Sequence, residues 1–359
     1  MSTRQKPLAV PHTSKEVQPQ GSLEKLCVQE DFRFLKIVAE GRFSKIVLVR
    51  KDTDKMALKA ISSESATYED FKREMDYNYF LSPHPNIITS YNVPFILDNL
   101  FVFVQEYAPY GPLSKFVLGG KRAGIGLLEP QVKTMAQQVA SALEFMHSLN
   151  LVHGCVTLDN ILVVGPNLSS FKLSDFGSTR PVGSLVKKTE ITSSCIYPPE
   201  ISQILPQEKY YMYTSLDVWQ VGILIVQCLT GCDPWQEADI TDPFYCQFSD
   251  WHKKKSIRVP DLFKVFSPRL VRLMKRLLEP KSTKRCEIKE VNKYLSDKWI
   301  CRECGLGSSR TSLQKSESSV SRMSRKSSTR SIRQRNGPLK SSSSVRIVKF
   351  NDNSVYVEQ

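Results

Sequence analysis

Phe32-Arg33-Phe34-Leu35-Lys36-Ile37-Val38, then Ala39-Glu40-Gly41-Arg42-Phe43-Ser44, then Lys45-Ile46-Val47-Leu48-Val49 sets two β-rich runs on either side of a six-residue loop. That pattern reads as strand, loop, strand. Met56-Ala57-Leu58-Lys59-Ala60-Ile61 supplies a third strand. Glu69 to Leu81 carries apolar and aromatic residues at helical spacing and stops at Pro83-His84-Pro85. Two further strands are expected, from Ile87 to Tyr91 and from Phe101 to Gln105. After the turn formers Tyr107-Ala108-Pro109-Tyr110-Gly111-Pro112 the pattern becomes helical. Glu129 to Leu149 places Val132, Met135, Ala136, Val139, Leu143 and Met146 on one stripe, and Asp217 to Leu229 is apolar almost all round, as in a helix buried on every side. The expected architecture is α+β: a five-stranded piece with one helix, joined by a hinge to a larger, mainly helical piece. A cleft between two such pieces is a usual place for a ligand.

The flanks differ from this body. Residues 1–30 are polar, contain Pro7, Pro11 and Pro19 and show no sustained period, so they read as a flexible leader. From Cys301 to Gln359 there are 12 Lys+Arg against 4 Asp+Glu, so +8 of the net charge of +14 sits in the last 59 residues. Too few apolar residues remain there to offset ordering entropy, and disorder is expected. The body is therefore only mildly basic, which argues against a domain built to wrap nucleic acid. Hydrophobic residues at 41% and charged residues at 24% of 359 exclude wholesale disorder and a disulfide miniature. The nine cysteines form no framework, and Cys301 and Cys304 lack a second ligand pair for zinc, so reduced thiols are expected. The amino terminus lacks the apolar core of a signal peptide. Val218 to Leu229, broken by Gln220, Gly222 and Gln227, is shorter than the roughly 20 residues of a membrane span. A monomer in the cytoplasm or nucleus is the resulting expectation.

Met56-Ala57-Leu58-Lys59, Val102 to Leu113 (VFVQEYAPYGPL), His153-Gly154-Cys155-Val156-Thr157-Leu158-Asp159-Asn160, Asp175-Phe176-Gly177, Pro198-Pro199-Glu200, Asp217-Val218-Trp219-Gln220-Val221-Gly222, Leu229 to Trp235 and Arg285 occur in this order. Together they resemble a eukaryotic protein kinase domain over residues 31–300, and within that superfamily the SH3-binding-domain kinase (SBK)-like serine/threonine kinases. The resemblance implies a bilobal fold with an N-lobe at 31–105, a hinge at 106–112 and a C-lobe at 113–300. It also implies roles. Lys59 would hold the α and β phosphates of ATP, and Glu74, 15 positions later, would pair with it, with Glu69 as a rival. Asn160 and Asp175 would bind Mg²⁺, two oxygen donors suited to a hard divalent ion beside phosphates. Adenine would lie between Ile46 and Ala57 on one side and Leu162 on the other, with backbone groups of Glu106 to Ala108 as hydrogen-bond partners and Gln105 controlling the back pocket. Glu200, Arg285 and the 217–222 helix would be scaffold.

Two stretches depart from the family pattern. The phosphate loop keeps only Gly41 of its three glycines, with Ala39 and Ser44 at the outer positions, so the cover over ATP is expected to be stiffer and weaker. In the catalytic loop Cys155 stands where an aspartate accepts the substrate proton. Thr157 stands where a lysine neutralises the migrating phosphoryl group, and Gly154 replaces the arginine that reads activation-segment phosphorylation. Loss of general-base catalysis at about 10²–10⁴-fold, compounded by a lost charge clamp, lowers an ordinary kinase turnover of ~1–100 s⁻¹ to roughly 10⁻⁶–10⁻² s⁻¹. Asp159 is the nearest substitute carboxylate. The sequence thus leads to a kinase-fold protein that binds Mg-ATP but transfers phosphate poorly or not at all and acts as a regulatory pseudokinase. An active but slow serine/threonine kinase and a nucleotide-free scaffold are the alternatives.

The last 59 residues carry Ser324, Ser327, Ser328 and Ser331 in contexts suited to basophilic kinases, and their charge suits acidic surfaces. Arg346-Ile347-Val348-Lys349-Phe350 resembles the docking sequence of type 1 protein phosphatase partners.

Overall fold

The computed structural model describes residues 32–41, 44–97, 99–117, 125–188, 196–205 and 207–301. The leader, the Arg346–Phe350 motif, the serines from 324 to 331 and Cys304 lie outside them. The described chain falls into two compact units, one holding residues 32–71 and 91–107 and the other 72–90 and 108–301.

The first unit is a five-stranded antiparallel sheet in the order β1-β2-β3-β5-β4, with β1 Arg33–Glu40, β2 Ser44–Lys51, β3 Asp54–Ser62, β4 Ser90–Leu97 and β5 Leu100–Glu106. Period-two alternation sorts the side chains. Leu58 and Ala60 of β3 join Val47, Val49, Val102 and Val104 in one buried cluster. The opposite face carries Phe101 and Phe103, against which Phe71 stacks with ring centroids 5.1 and 6.1 Å away. Phe71 belongs to helix α1, Tyr68–Leu81. Its start is set by a reciprocal cap in which Asp70 N donates to Thr67 Oγ1 and Thr67 N to Asp70 Oδ2.

One strand expectation is corrected. Ile87 to Thr89 is not part of β4, which begins at Ser90. Ile87 instead forms an isolated bridge to Leu173, in which Ile88 N donates to Leu173 O and Leu173 N to Asn86 O. The apolar run there is a core plug of the second unit, with Ile87 and Ile88 fully buried.

The second unit is built on α3, Glu129–Ser148, and α5, Thr214–Thr230, with the short helix α2, Ser114–Val117, before them in the chain, the short helix α4, Pro199–Ser202, between them, and α6, Pro243–His252, and α7, Pro268–Leu277, after them. All six stripe residues named for α3 are buried, and α5 is buried from Leu216 to Thr230, as its composition implies. The C-terminal boundary is fastened covalently distant but spatially close to α3: Glu129 accepts hydrogen bonds from the backbone N–H of Trp299 and Ile300, both at 2.9 Å.

Arg285 locks α4 to α5. Its guanidinium makes a bidentate pair with Glu200 at 2.9 and 3.0 Å, donates to the carbonyls of Ser215 and Glu279, and lies 5.0 Å from the Trp219 ring. The Arg285 side chain is wholly buried while Glu200 is partly exposed. Removing the cation strands a carboxylate and two carbonyls. Arg285→Met should therefore lower stability by about 3 kcal/mol in urea unfolding, the range for breaking a buried charged pair.

Candidate active site

The loop from His153 to Asn160 is held by polar side chains on an otherwise apolar helix. Asp217, fully buried, accepts from His153 N (2.9 Å) and Gly154 N (2.8 Å) and meets His147 Nε2 at 2.9 Å. Gln220, also fully buried, accepts from Val156 N at 2.9 Å and donates to Gly154 O at 3.1 Å. A backbone that cannot pair within itself is thereby satisfied. His153 contributes next: Cys155 N donates to its Nδ1 at 3.2 Å, so Nε2 carries the proton toward Ser174 O, also at 3.2 Å. Burial holds this imidazole below its ordinary pKa and therefore neutral.

Gly154 has φ +83°, and an added Cβ would stand 2.5 Å from Met212 Cε and 3.2 Å from Ser178 O. An arginine here would be strained by its backbone as well as by its surroundings. Cys155 borders a cavity of about 230 Å³ shared with Arg180, Tyr197, Tyr210 and Met212. Burial pushes its thiol up to about 12, and the negative charges of Asp175, Asp217 and Asp159 push the same way. The sulfur is thus a neutral S–H group in an electronegative corner, the reverse of the setting that activates a thiolate. Thr157 is half-buried and accepts from Asn160 N through its carbonyl. Asp159 is exposed, and its Oδ1 accepts from Ser114 Oγ. This nearest substitute carboxylate is thus engaged with α2.

Asn160 donates from Nδ2 to Cys155 O at 2.9 Å, which leaves its Oδ1 as the oxygen available to a cation. Its backbone carbonyl accepts from Ser174 N and Oγ. Asp175 has φ +67°, a left-handed conformation that few non-glycine residues adopt. An ideal Cβ on Gly177 would lie 3.2 Å from Glu74 Oε2 and 3.5 Å from Asp175 Oδ1, so Glu74, Gly177 and Asp175 are gathered in one spot. Of the two rivals, Glu74 is buried and Glu69 exposed. Among the described residues no three or more His, Cys, Asp or Glu converge as a metal cage. One amide oxygen and one carboxylate nevertheless fit Mg²⁺ that takes its remaining ligands from phosphate and water.

In the sheet, Ile46 lies opposite Lys59 and Ala57 opposite Gln105. Directly opposed residues share a face and so do alternate ones, which puts Ile46, Ala57, Lys59 and Gln105 on one face. Ala57, Lys59 and Gln105 are buried. Glu106 pairs with Met56 at the strand end. In the second unit Ala108 is buried and Leu162 half-buried. The loop after β1 is closed by a ladder pairing Ala39 with Ile46, a Gly41 N to Ser44 O bond of 2.8 Å and a Glu40–Lys45 ion pair. A Cβ on Gly41 would meet only ordinary contacts, so this position does not demand glycine.

The residue that sequence reasoning passed over is Gln220 as a clamp on the loop. Its signal was available: two polar residues spaced i, i+3 on a helix apolar all round must face a polar partner.

The comparisons with known proteins agree with this geometry. A protein kinase domain model matches residues 32–300. Serine/threonine-protein kinase meng-po of Drosophila melanogaster is 38% identical over 296 residues, 82% of this chain and 63% of that protein. Serine/threonine-protein kinase SBK1 of Danio rerio is 36% identical over 282 residues, 78% and 72% of the two chains, and SBK1 of Mus musculus is 34% identical over 271 residues, 75% and 64%. The matched part thus spans less than two thirds of the fly and mouse proteins. With the two-unit α+β fold and these matches together, the chain belongs to the protein kinase superfamily and, within it, to the SBK-like serine/threonine kinases.

Proposed function

We propose that this protein is a regulatory, pseudokinase-like member of its family that takes up Mg-ATP weakly and transfers phosphate poorly or not at all. The observation that carries the reading is the state of Cys155. Burial, reinforced by the negative charges of Asp175, Asp217 and Asp159, pushes its thiol up and keeps it protonated at neutral pH. Cys155 is therefore no proton acceptor for a substrate hydroxyl. Asp159 is tied to Ser114, and Thr157 offers no charge to a migrating phosphoryl group. Support for nucleotide uptake comes from Lys59, Glu74, Asn160 and Asp175 all being kept. Asn160 Oδ1 and the Asp175 carboxylate would hold Mg²⁺, which neutralises phosphate charge when bound. Support for weak uptake comes from the loop after β1, where backbone pairing and an ion pair replace an open run of glycines. A second reading, an active but slow ATP-dependent serine/threonine kinase, is favoured by the names of the relatives.

Transfer of γ-phosphate to a generic Ser/Thr substrate separates the two, with Asp175→Ala as the control. Turnover at or below ~10⁻² s⁻¹ is expected, and faster transfer that disappears in the control would establish the active reading. Thermal unfolding with ATP and Mg²⁺ tests binding separately. A rise in melting temperature that Asp175→Ala reduces is expected, and no rise at saturating nucleotide would leave a nucleotide-free scaffold.

The acids around position 155 set the outcome of repair. An aspartate introduced alone would face the same three negative charges and be held above the usual carboxylate range, whereas Thr157→Lys adds the opposing charge. Cys155→Asp with Thr157→Lys should raise turnover by roughly 10²-fold or more over the unmodified protein, and Cys155→Asp alone by much less.

Alkylation reads the thiol directly. Cys155 should stay unmodified by iodoacetamide in the native protein at mildly alkaline pH and react once urea unfolds the chain, as followed by peptide mass spectrometry. Rapid native labelling would show a thiolate where a thiol is expected.

A further inference from the structure

The end of α6 runs into Trp251-His252-Lys253-Lys254-Lys255-Ser256-Ile257-Arg258, a turn that carries four cations in six residues. Lys253, Lys254, Lys255 and Arg258 are exposed, and among the described residues none of them forms an ion pair. Of the acids nearby, Asp261 pairs with Lys264 at 2.6 Å and also feels the charge of Arg258, and Glu279 faces His252 at 3.6 Å. A further cation, Lys275 of α7, stands 3.9 Å from the Trp251 ring and feels the charge of Lys254. The three consecutive lysines thus present their charges side by side without an ion pair among the described residues.

In the middle of these cations Ile257 is 100% exposed. A lone exposed isoleucine is common, but one framed by four unpaired cations combines an apolar tip with a positive collar. The backbone around it is already consumed: Lys253 N bonds Ser249 O, Lys254 N bonds Trp251 O, Lys255 N and Ser256 N bond Asp250 O, and Arg258 N bonds Ser256 Oγ. Lys254 holds the turn in shape with φ +60°. Five of the six N–H groups from Lys253 to Arg258 are thus engaged within the turn, so what it chiefly offers is side chains. Long, unconverged lysines match a fluid surface of many anions better than a single bound ion. A nucleic-acid backbone would use the cations and leave Ile257 without a role.

We propose that this turn docks the protein on an anionic phospholipid bilayer, with Lys253, Lys254, Lys255 and Arg258 against the headgroups and Ile257 entering the acyl boundary. The contact is peripheral, and among the described residues no helix is long and apolar enough to cross a membrane. It is independent of phosphotransfer and of nucleotide.

The test is flotation of the full chain with vesicles of phosphatidylcholine alone and of phosphatidylcholine mixed with phosphatidylserine. Binding to the mixed vesicles at low salt, and not to phosphatidylcholine alone, is expected. The triple variant Lys253→Gln, Lys254→Gln, Lys255→Gln should weaken partitioning by about fivefold per charge, roughly 100-fold in all. Ile257→Ser should weaken it roughly tenfold. Every variant keeps the basic segment after Cys301, so the comparison isolates the turn, and an unchanged thermal melt confirms folding. Ile257→Trp should add a blue-shifted emission on mixed vesicles alone. Undiminished binding by the triple variant assigns the membrane contact to the C-terminal segment and overturns the proposal. Absence of binding to mixed vesicles overturns it too, as does tighter binding to an oligonucleotide that Ile257→Ser leaves unchanged.

Discussion

The buried carboxylate of Asp217 is the constraint on which the catalytic loop rests. It grips two successive backbone N–H groups, those of His153 and Gly154, and Gln220 grips the next exchange, at Val156 and Gly154. A buried charge of this kind persists only when several donors converge on it. Because every one of these bonds ends on the main chain of the loop, the identities of the side chains at 154, 155 and 157 are left free. The loop can therefore keep its path while losing its arginine, aspartate and lysine positions. Fold and chemistry are separable here for a definite reason: the helix reads the backbone, whereas a substrate would read the side chains.

The same arrangement explains why a cysteine is comfortable where an aspartate would be expected. Position 155 lies within electrostatic reach of Asp175, Asp217 and Asp159, and it is largely withdrawn from water. A fourth carboxylate in such a place is costly unless a cation offsets it, which is the usual strain of an active site. With Thr157 in the lysine position the offset is gone. A neutral S–H group of modest size relieves the repulsion, so the two replacements are coupled: loss of the lysine favours loss of the acid, and the pair together favours stability over catalysis.

Much of this was legible in the sequence. The sheet strands, the stripe on α3 and the all-round apolar α5 follow from period and composition, because burial on one face or on every face leaves its mark on each residue. The place where the reading failed, Ile87 to Thr89, is instructive. A short apolar run looks alike whether it extends a ladder or plugs a core, and only the distant partner Leu173 decides. The nine residues between Glu74 and His84-Pro85 favour Glu74 over Glu69, and in the structure Glu74 is buried and Glu69 exposed. The vacancy at Cys155 was plain from identity alone, but its consequence was not. That the thiol is pushed up depends first on its burial and then on three acids around it, and that Asp159 is engaged depends on Ser114, 45 positions earlier.

The two metal-site residues carry unequal weight. Asn160 has work in the loop whatever binds there: its amide fixes the carbonyl of Cys155, and its own carbonyl receives Ser174 twice over. Its survival in a chain that has lost the proton acceptor is thus explained by structure. Asp175 stands in a left-handed conformation that glycine would adopt at lower cost, by an amount on the order of 1 kcal/mol. Keeping a carboxylate at that position keeps an oxygen donor beside Glu74 and near His153, and the loop-holding bonds that account for Asn160 do not account for it.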